Sequence, residues 1–293
     1  MPLNSTFGLD PALQARFREI GPVFNPDIVE LTRELFADRK NPALPDGGTR
    51  TDDIAYGDHE RHRLDICTPG GAGRPVVLFV PGGGMTGGNK AFYAHIPAFF
   101  AREGFVGVAM NYRLAPDFLF PSGAQDVALA IDWLAEHVAE HGGDPSRIFV
   151  IGQSAGAVHT ATTLFDARAR PKHLSSVRSA VLMSGVYEIT PDHEGGNINL
   201  YFGNDADELA DRSSVNHVMG STVPVTLTVT ELEPTFFGLS AAAMAHALTR
   251  RDRRAPRFVW LEGHNHLSPV LNMGSQGDEL GPSIAELFRD QSE

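Results

Sequence analysis

Cysteine is almost missing from this chain. Its one thiol, Cys67, rules out an intramolecular disulfide, so the fold has to be held by its core. A reducing compartment such as the cytoplasm is the expected location. Cys67 stands in the strand-like run "RLDICTP" with no thiolate-activating neighbour and reads as a buried structural residue. Positive charge is also short. Lys and Arg number 24 against 36 Asp and Glu, a formal net charge of −12. Nucleic acid and anionic membranes both demand a basic face, so neither is an expected partner. No apolar run reaches the length of a membrane span. The opening "MPLNSTFGLDPALQARF" has neither the basic nor the apolar region of a signal peptide.

What is present suits a large core. Hydrophobic residues make up 42% of 293 positions, enough for one large α/β domain or two small ones. "DPALQARFREI" and "NPDIVELTRELFADR" each open on Asp or Asn followed by Pro and carry apolar residues at helical spacing. The spacing predicts a small N-terminal helical cap over residues 1–50, ending in the linker "NPALPDGGTR". From residue 51 to 293 short apolar runs ("VVLFV", "FVGVAM", "RIFVIG", "SAVLM", "VTLTV", "RFVWL") alternate with longer helical stretches. With "DDIAYG" and "RHRLDICTP" as an antiparallel edge, they predict one open, mostly parallel sheet of eight strands flanked by helices. The polar stretch at 191–217 reads as an irregular loop that shapes a binding site.

Gly152-Gln153-Ser154-Ala155-Gly156 is G-x-S-x-G between an apolar strand and a small-residue helix, the setting of a nucleophile elbow. A serine hydroxyl needs a base, and the base needs an acid to orient it. "TVTELEP" and "LEGHNHLS" supply candidates after the last two strands. Glu231 competes with Glu233 for the acid, and His264 with His266 for the base. The loop "PGGGMTGG" has two readings. Gly82, Gly84 and Gly87 fit G-x-G-x-x-G of a dinucleotide turn, and the same glycines can offer N–H groups to an oxyanion. The next strand ends in Asn111, Tyr112 and Arg113 where a dinucleotide site wants an acid. No Gly-Lys-Ser/Thr completes a phosphate loop.

These blocks resemble the α/β-hydrolase esterases of the hormone-sensitive-lipase-like and bacterial carboxylesterase groups, which border on the arylformamidases. The similarity runs from about Asp53 to the C-terminus and rests on "NYRLAPDFLFPSGAQDVALAIDWL", "GGDPSRIFVIGQSAGA", "TELEP" and "EGHNHLS". It implies a triad of Ser154, Glu233 (where Asp is commoner) and His266, with oxyanion donors at Gly83, Gly84 and Ala155. Pro81 stands where the family usually has a loop-bracing His. Arg113, Asp117 and Asp126 match architectural positions. Met85, Phe236 and Phe237 are candidates for an apolar substrate pocket, with core packing an equal reading for the two Phe residues, and His264 for its wall. His59 and His62 read as solvated residues of an edge-strand turn, and "HNH" as part of the histidine block, not a nuclease motif. The resemblance implies a serine esterase for small to medium carboxylic esters, working through an acyl-enzyme without metal or organic cofactor. The alternatives are an amidase or arylformamidase and a non-catalytic receptor on the same fold. The expected partner is a small acyl substrate, and a homo-oligomer is compatible with the chain.

Overall fold

Strands that are apolar on both faces have to be covered on both sides. The structure, a computed structural model, describes residues 7–191 and 196–292. Its strands are β1 (Thr49–Ala55), β2 (Arg63–Thr68), β3 (Arg74–Val80), β4 (Val106–Met110), β5 (Gly143–Gln153), β6 (Val177–Met183), β7 (Val225–Leu232) and β8 (Arg257–Asn265). They form one sheet in the order β1-β2-β4-β3-β5-β6-β7-β8. β2 is antiparallel to both β1 and β4, and every other pair is parallel. This is the α/β-hydrolase sheet that the strand pattern predicts, antiparallel edge included.

The helices are α1 (Pro11–Ile20), α2 (Pro26–Leu35), α3 (His95–Arg102), α4 (Ser122–His137), α5 (Ala155–Phe165), α6 (Gly196–Phe202), α7 (Ala206–Arg212), α8 (Thr235–Asp252), α9 (Ser268–Asn272) and α10 (Leu280–Asp290). Both N-terminal helices start as their sequences dictate. Asp10 accepts the Ala12 N–H at 2.9 Å and Asn25 the Ile28 N–H at 3.0 Å, each followed by Pro. Alternation along β3 divides the core. Leu78 and Val80 join Ile131, Leu134, Met244 and Leu248 on one face. Val77 and Phe79 join Phe17, Phe100 and Phe288 on the other. Among the described residues no helix is long and apolar enough to cross a membrane. Cys67 is fully buried beside Ala98 and Ala101, and burial pushes its thiol up to about 11.

Three segments differ from expectation. The stretch at 191–217 is not irregular where described: it holds α6, α7 and a 3-10 turn (Ser214–Gly220), while Asp192–Gly195 lie outside the described residues. Asp205 caps α7 through the N–H groups of Asp207 and Glu208. Tyr201, Phe202 and Leu209 then sink into an apolar cluster with Met85, Val158 and Phe237, which draws the excursion over the elbow. α8 begins at Thr235, so Phe236 and Phe237 belong to its first turn. α9 and α10 close the C-terminal side, with Leu280, Ile284 and Phe288 buried.

Candidate active site

Strand register brings the chemistry together. Val80 of β3 pairs with Gly152 of β5, so the glycine loop and the elbow leave the sheet side by side. Leu232 of β7 pairs with Asn265 of β8, so Glu233 and His266 leave as neighbours. All four segments emerge at the carboxyl ends of strands, where open α/β sheets hold their ligands.

Ser154 sits at φ 53°, ψ −120°, a strained conformation for a residue with a side chain. The turn is this tight because β3 and α5 crowd it. A Cβ on Gly156 would run into the Val80 carbonyl, and one on Gly152 into the Gly156 carbonyl. The Ser154 Oγ lies 2.9 Å from His266 Nε2, and His266 Nδ1 lies 2.8 Å from Glu233 Oε2. The second carboxylate oxygen, Oε1, accepts the Thr230 N–H at 3.0 Å and the Ser184 hydroxyl at 3.1 Å. Glu233 and His266 are both buried. Phe237 stacks on the imidazole, centroids 4.2 Å apart, and Phe24 meets it edge-on at 4.5 Å. With Nδ1–H donated to the carboxylate, Nε2 is free to accept the serine proton.

The two rivals are engaged elsewhere. Glu231 points away: its Oε2 accepts the Gly263 N–H at 2.7 Å and faces Arg18 at 3.2 Å. His264 is fully buried with Nδ1 2.9 Å from Ser268 Oγ and does not line the cavity, so the expected pocket-wall role is corrected. His264 still belongs to β8, whereas His266 lies past its end, in the turn. Between the two histidines, Asn265 ties the turn. Its Oδ1 accepts the N–H groups of Leu267 and Ser268, and its Nδ2 donates to Thr32 Oγ1 of α2 at 2.8 Å.

The glycine loop runs from Pro81 to Asn89 before any helical turn, which begins at Lys90. A dinucleotide turn would open a helix directly, so that geometry is not formed. Gly83 (φ 151°) and Gly84 (φ 59°) take up conformations that favour glycine, and the Gly87 N–H closes onto the Gly83 carbonyl at 2.9 Å. Residues from β4 and the β1–β2 turn brace the loop. Tyr112 Oη donates to the Pro81 carbonyl at 2.9 Å, Arg61 Nη2 to the Gly88 carbonyl at 2.8 Å, and the Lys90 N–H to Asn111 Oδ1 at 2.8 Å. The sequence signal for Asn111 and Tyr112 is "NYR" at a strand end; Arg61 has no such signal.

Arg113 and Asp126 are architectural: Arg113 donates its N–H to Asp126 at 2.7 Å and its guanidinium to the same carboxylate. Burial pushes the Asp126 carboxyl up, but His62 and Arg113 together hold it below the usual range. His62 is thus buried 3.0 Å from Asp126, not solvated as expected. Asp117 is exposed and makes no ion pair among the described residues, so its architectural reading is corrected too.

Above Ser154 opens a cavity of about 1170 Å³. Gly83, Gly84, Met85 and Ala155 line it near the serine, Phe236 and Phe237 on one side, and Phe24 and Val29 on another. Ala155 opens α5, so its N–H has no helical carbonyl to reach. Among the described residues no group of three His, Cys, Asp or Glu is placed to hold a metal ion.

The sheet order and the strand–turn–helix elbow define the class, an α/β hydrolase. The chain belongs to the α/β-hydrolase-fold family, whose sequence profile matches residues 77–237. A probable carboxylic ester hydrolase of Mycobacterium tuberculosis is 37% identical over 152 residues, covering 47% of this chain and 35% of that protein. Phenmedipham hydrolase of Pseudarthrobacter oxydans is 41% identical over 107 residues, covering 33% of this chain and 22% of that protein. The chain therefore spans about a third or less of the length of these relatives. Among solved structures, an esterase from Pyrobaculum calidifontis superposes with a TM-score of 0.74 at 22% identity, covering 97% of this chain and 99% of that one. Esterase B from Lactobacillus rhamnosis gives 0.72 at 17% identity, covering 96% and 95%. Likeness at this identity speaks to the fold alone.

Proposed function

We propose that the protein is a serine esterase of small to medium carboxylic esters, with Ser154 as nucleophile, His266 as base and Glu233 as the acid that orients it. The observation that carries this reading is the unbroken row from Ser154 Oγ through both ring nitrogens of His266 to Glu233, at 2.9 and 2.8 Å, at the foot of an open cavity. Relatives named as ester hydrolases support it. In the acylation step Oγ attacks the carbonyl carbon while Nε2 takes its proton. The N–H groups of Gly83, Gly84 and Ala155 receive the developing oxyanion. The imidazolium then protonates the departing alcohol, and water deacylates the serine by the same route. Stacked rings on the imidazole and a mostly apolar wall suit an apolar acyl or alcohol group.

Short p-nitrophenyl esters, matched anilides and N-formyl aryl amines assayed side by side test this reading. Esters should be turned over fastest, and Ser154→Ala should lower kcat by on the order of 10⁴–10⁶ in a folded protein. Glu233→Gln should be far more damaging than Glu231→Gln. Faster cleavage of anilides, or an organophosphonate that labels a serine other than Ser154, would overturn it.

A further inference from the structure

One end of the cavity carries Arg33 beside an exposed Glu30, in a chain whose formal net charge is −12. α2 lays Arg33 along the wall, its guanidinium 4.7 Å above the ring of Phe92, and both residues line the cavity that holds Ser154. Arg33 also reaches the Tyr93 hydroxyl. Lys40 lies near this end outside the cavity lining, its ammonium 3.5 Å from the Phe92 backbone carbonyl. Burial, and then repulsion from Arg33, hold the Lys40 ammonium below its ordinary range.

Nearby acids do little to neutralise the pair. Glu30 Oε2 is 3.6 Å from Arg33, but the Glu30 side chain is 64% exposed, so the pair is weak. Asp10 is taken by Arg39 at 3.3 Å. Among the described residues Lys40 makes no ion pair. Two neighbouring cations, partly removed from water, repel each other unless an anion joins them. Between them and Ser154 the wall is apolar, from Phe24 to Val29, and Phe24 and Phe92 present 40% and 49% of their surface to solvent.

We propose that Arg33 and Lys40 form a carboxylate subsite, and that the preferred substrates are esters bearing a second, free carboxylate at the far end of an apolar spacer. This rests on the esterase reading and adds to it the charge of the substrate. A planar guanidinium pairs a carboxylate through two parallel hydrogen bonds, and a lysine beside it adds a point charge. The spacer would lie along the Phe24 and Val29 wall while the reacting carbonyl sits at Ser154.

The test compares p-nitrophenyl hemi-esters of glutaric, adipic and suberic acid with neutral p-nitrophenyl esters of equal chain length. The best hemi-ester should exceed its neutral match by about 10-fold in kcat/KM, mainly through KM, and the preference should shrink in high salt. Arg33→Gln should bring that ratio close to unity, and Lys40→Gln should lower it by about 3-fold. Arg16→Gln, which removes the same charge from an exposed pair with Glu19, should preserve the ratio. Binding of monomethyl suberate to Ser154→Ala, measured by calorimetry with and without Arg33→Gln, reads the subsite without any turnover. Hydrolysis of neutral esters with no preference for hemi-esters would overturn the subsite and leave the esterase reading standing. Arg33-dependent binding in a protein that hydrolyses no ester would do the reverse. A ratio or an affinity indifferent to both Arg33→Gln and Lys40→Gln would overturn the subsite as well.

Discussion

Tyr112 is fully buried, and its hydroxyl donates to the Pro81 carbonyl. Burial pushes that hydroxyl far above its ordinary range, so it stays a donor at any working pH. Pro81 has no N–H and no side-chain donor of its own, and the loop is therefore held from behind. Tyr112→Phe removes one hydrogen bond worth about 1 kcal/mol. It leaves the ring in place. The N–H groups proposed to meet the oxyanion would be less well aimed, so kcat should fall by about 3- to 10-fold with KM little changed. Steady-state kinetics beside a melting curve check this. A lower melting temperature with kcat intact would make Tyr112 a core residue and nothing more. The same scale separates His264 and His266: the first is the next-to-last residue of β8 and is buried against Ser268, the second follows the strand in the turn and meets Ser154.

At the scale of elements, the turn after β8 is the joint of the site. Asn265 closes it and straps it to α2, which also supplies the cavity wall. Asn265→Ala would leave two N–H groups without their acceptor and remove the donor to Thr32 Oγ1, which keeps its own bond to the Ile28 carbonyl, a cost of about 2–4 kcal/mol. The melting temperature should drop by several degrees and kcat should fall as His266 loses its fixed position. Thr32→Val, which breaks the strap and the hydroxyl's bond to the Ile28 carbonyl within α2, should cost less in stability and act chiefly on KM through the wall formed by α2. Paired calorimetry and kinetics on the two variants separate these effects. If Thr32→Val lowered kcat as much as Asn265→Ala, the strap and not the turn would be what positions the histidine.

Across the whole molecule, acid should find the buried imidazoles of His95 and His159. Burial lowers His95 and His159 to about 4, while the unfolded chain titrates near the ordinary 6.5. Between those values the unfolded state binds more protons than the folded one, so stability is complete above about 6.5 and is lost as the pH falls toward 4. The loss reaches about 3 kcal/mol for each group. Asp278 works in the opposite sense. Burial raises it to about 6 against the hydrogen bonds it accepts from Gly274, Gly281 and Leu280, so its ionisation costs stability as the pH rises from about 4 to 6. With two groups against one, the melting temperature should fall between pH 6.5 and 4.5. His95→Gln keeps a donor for the Val270 carbonyl, which His95 Nε2 meets at 2.9 Å, and cannot titrate. It should flatten that fall, and an unchanged slope would exclude His95 as a source.

The sequence by itself determined the sheet, the elbow and the family. Runs that are apolar on both faces can only be buried strands, and G-x-S-x-G between a strand and a helix marks the elbow locally. It also narrowed the acid and the base to two candidates each. Tertiary structure decided which of them meet. Leu232 lies opposite Asn265, and that long-range register, not any local preference, sets Glu233 beside His266 and turns Glu231 and His264 elsewhere. Residues that support the site from distant segments were beyond reach for the same reason. Tyr112 behind the loop, Ser184 on the carboxylate, and Arg33 at the cavity's end lie tens of positions from the residues they meet. A one-dimensional pattern reports helical and strand periods over a few residues. It says nothing about which polar groups the folded chain will bring within hydrogen-bonding distance.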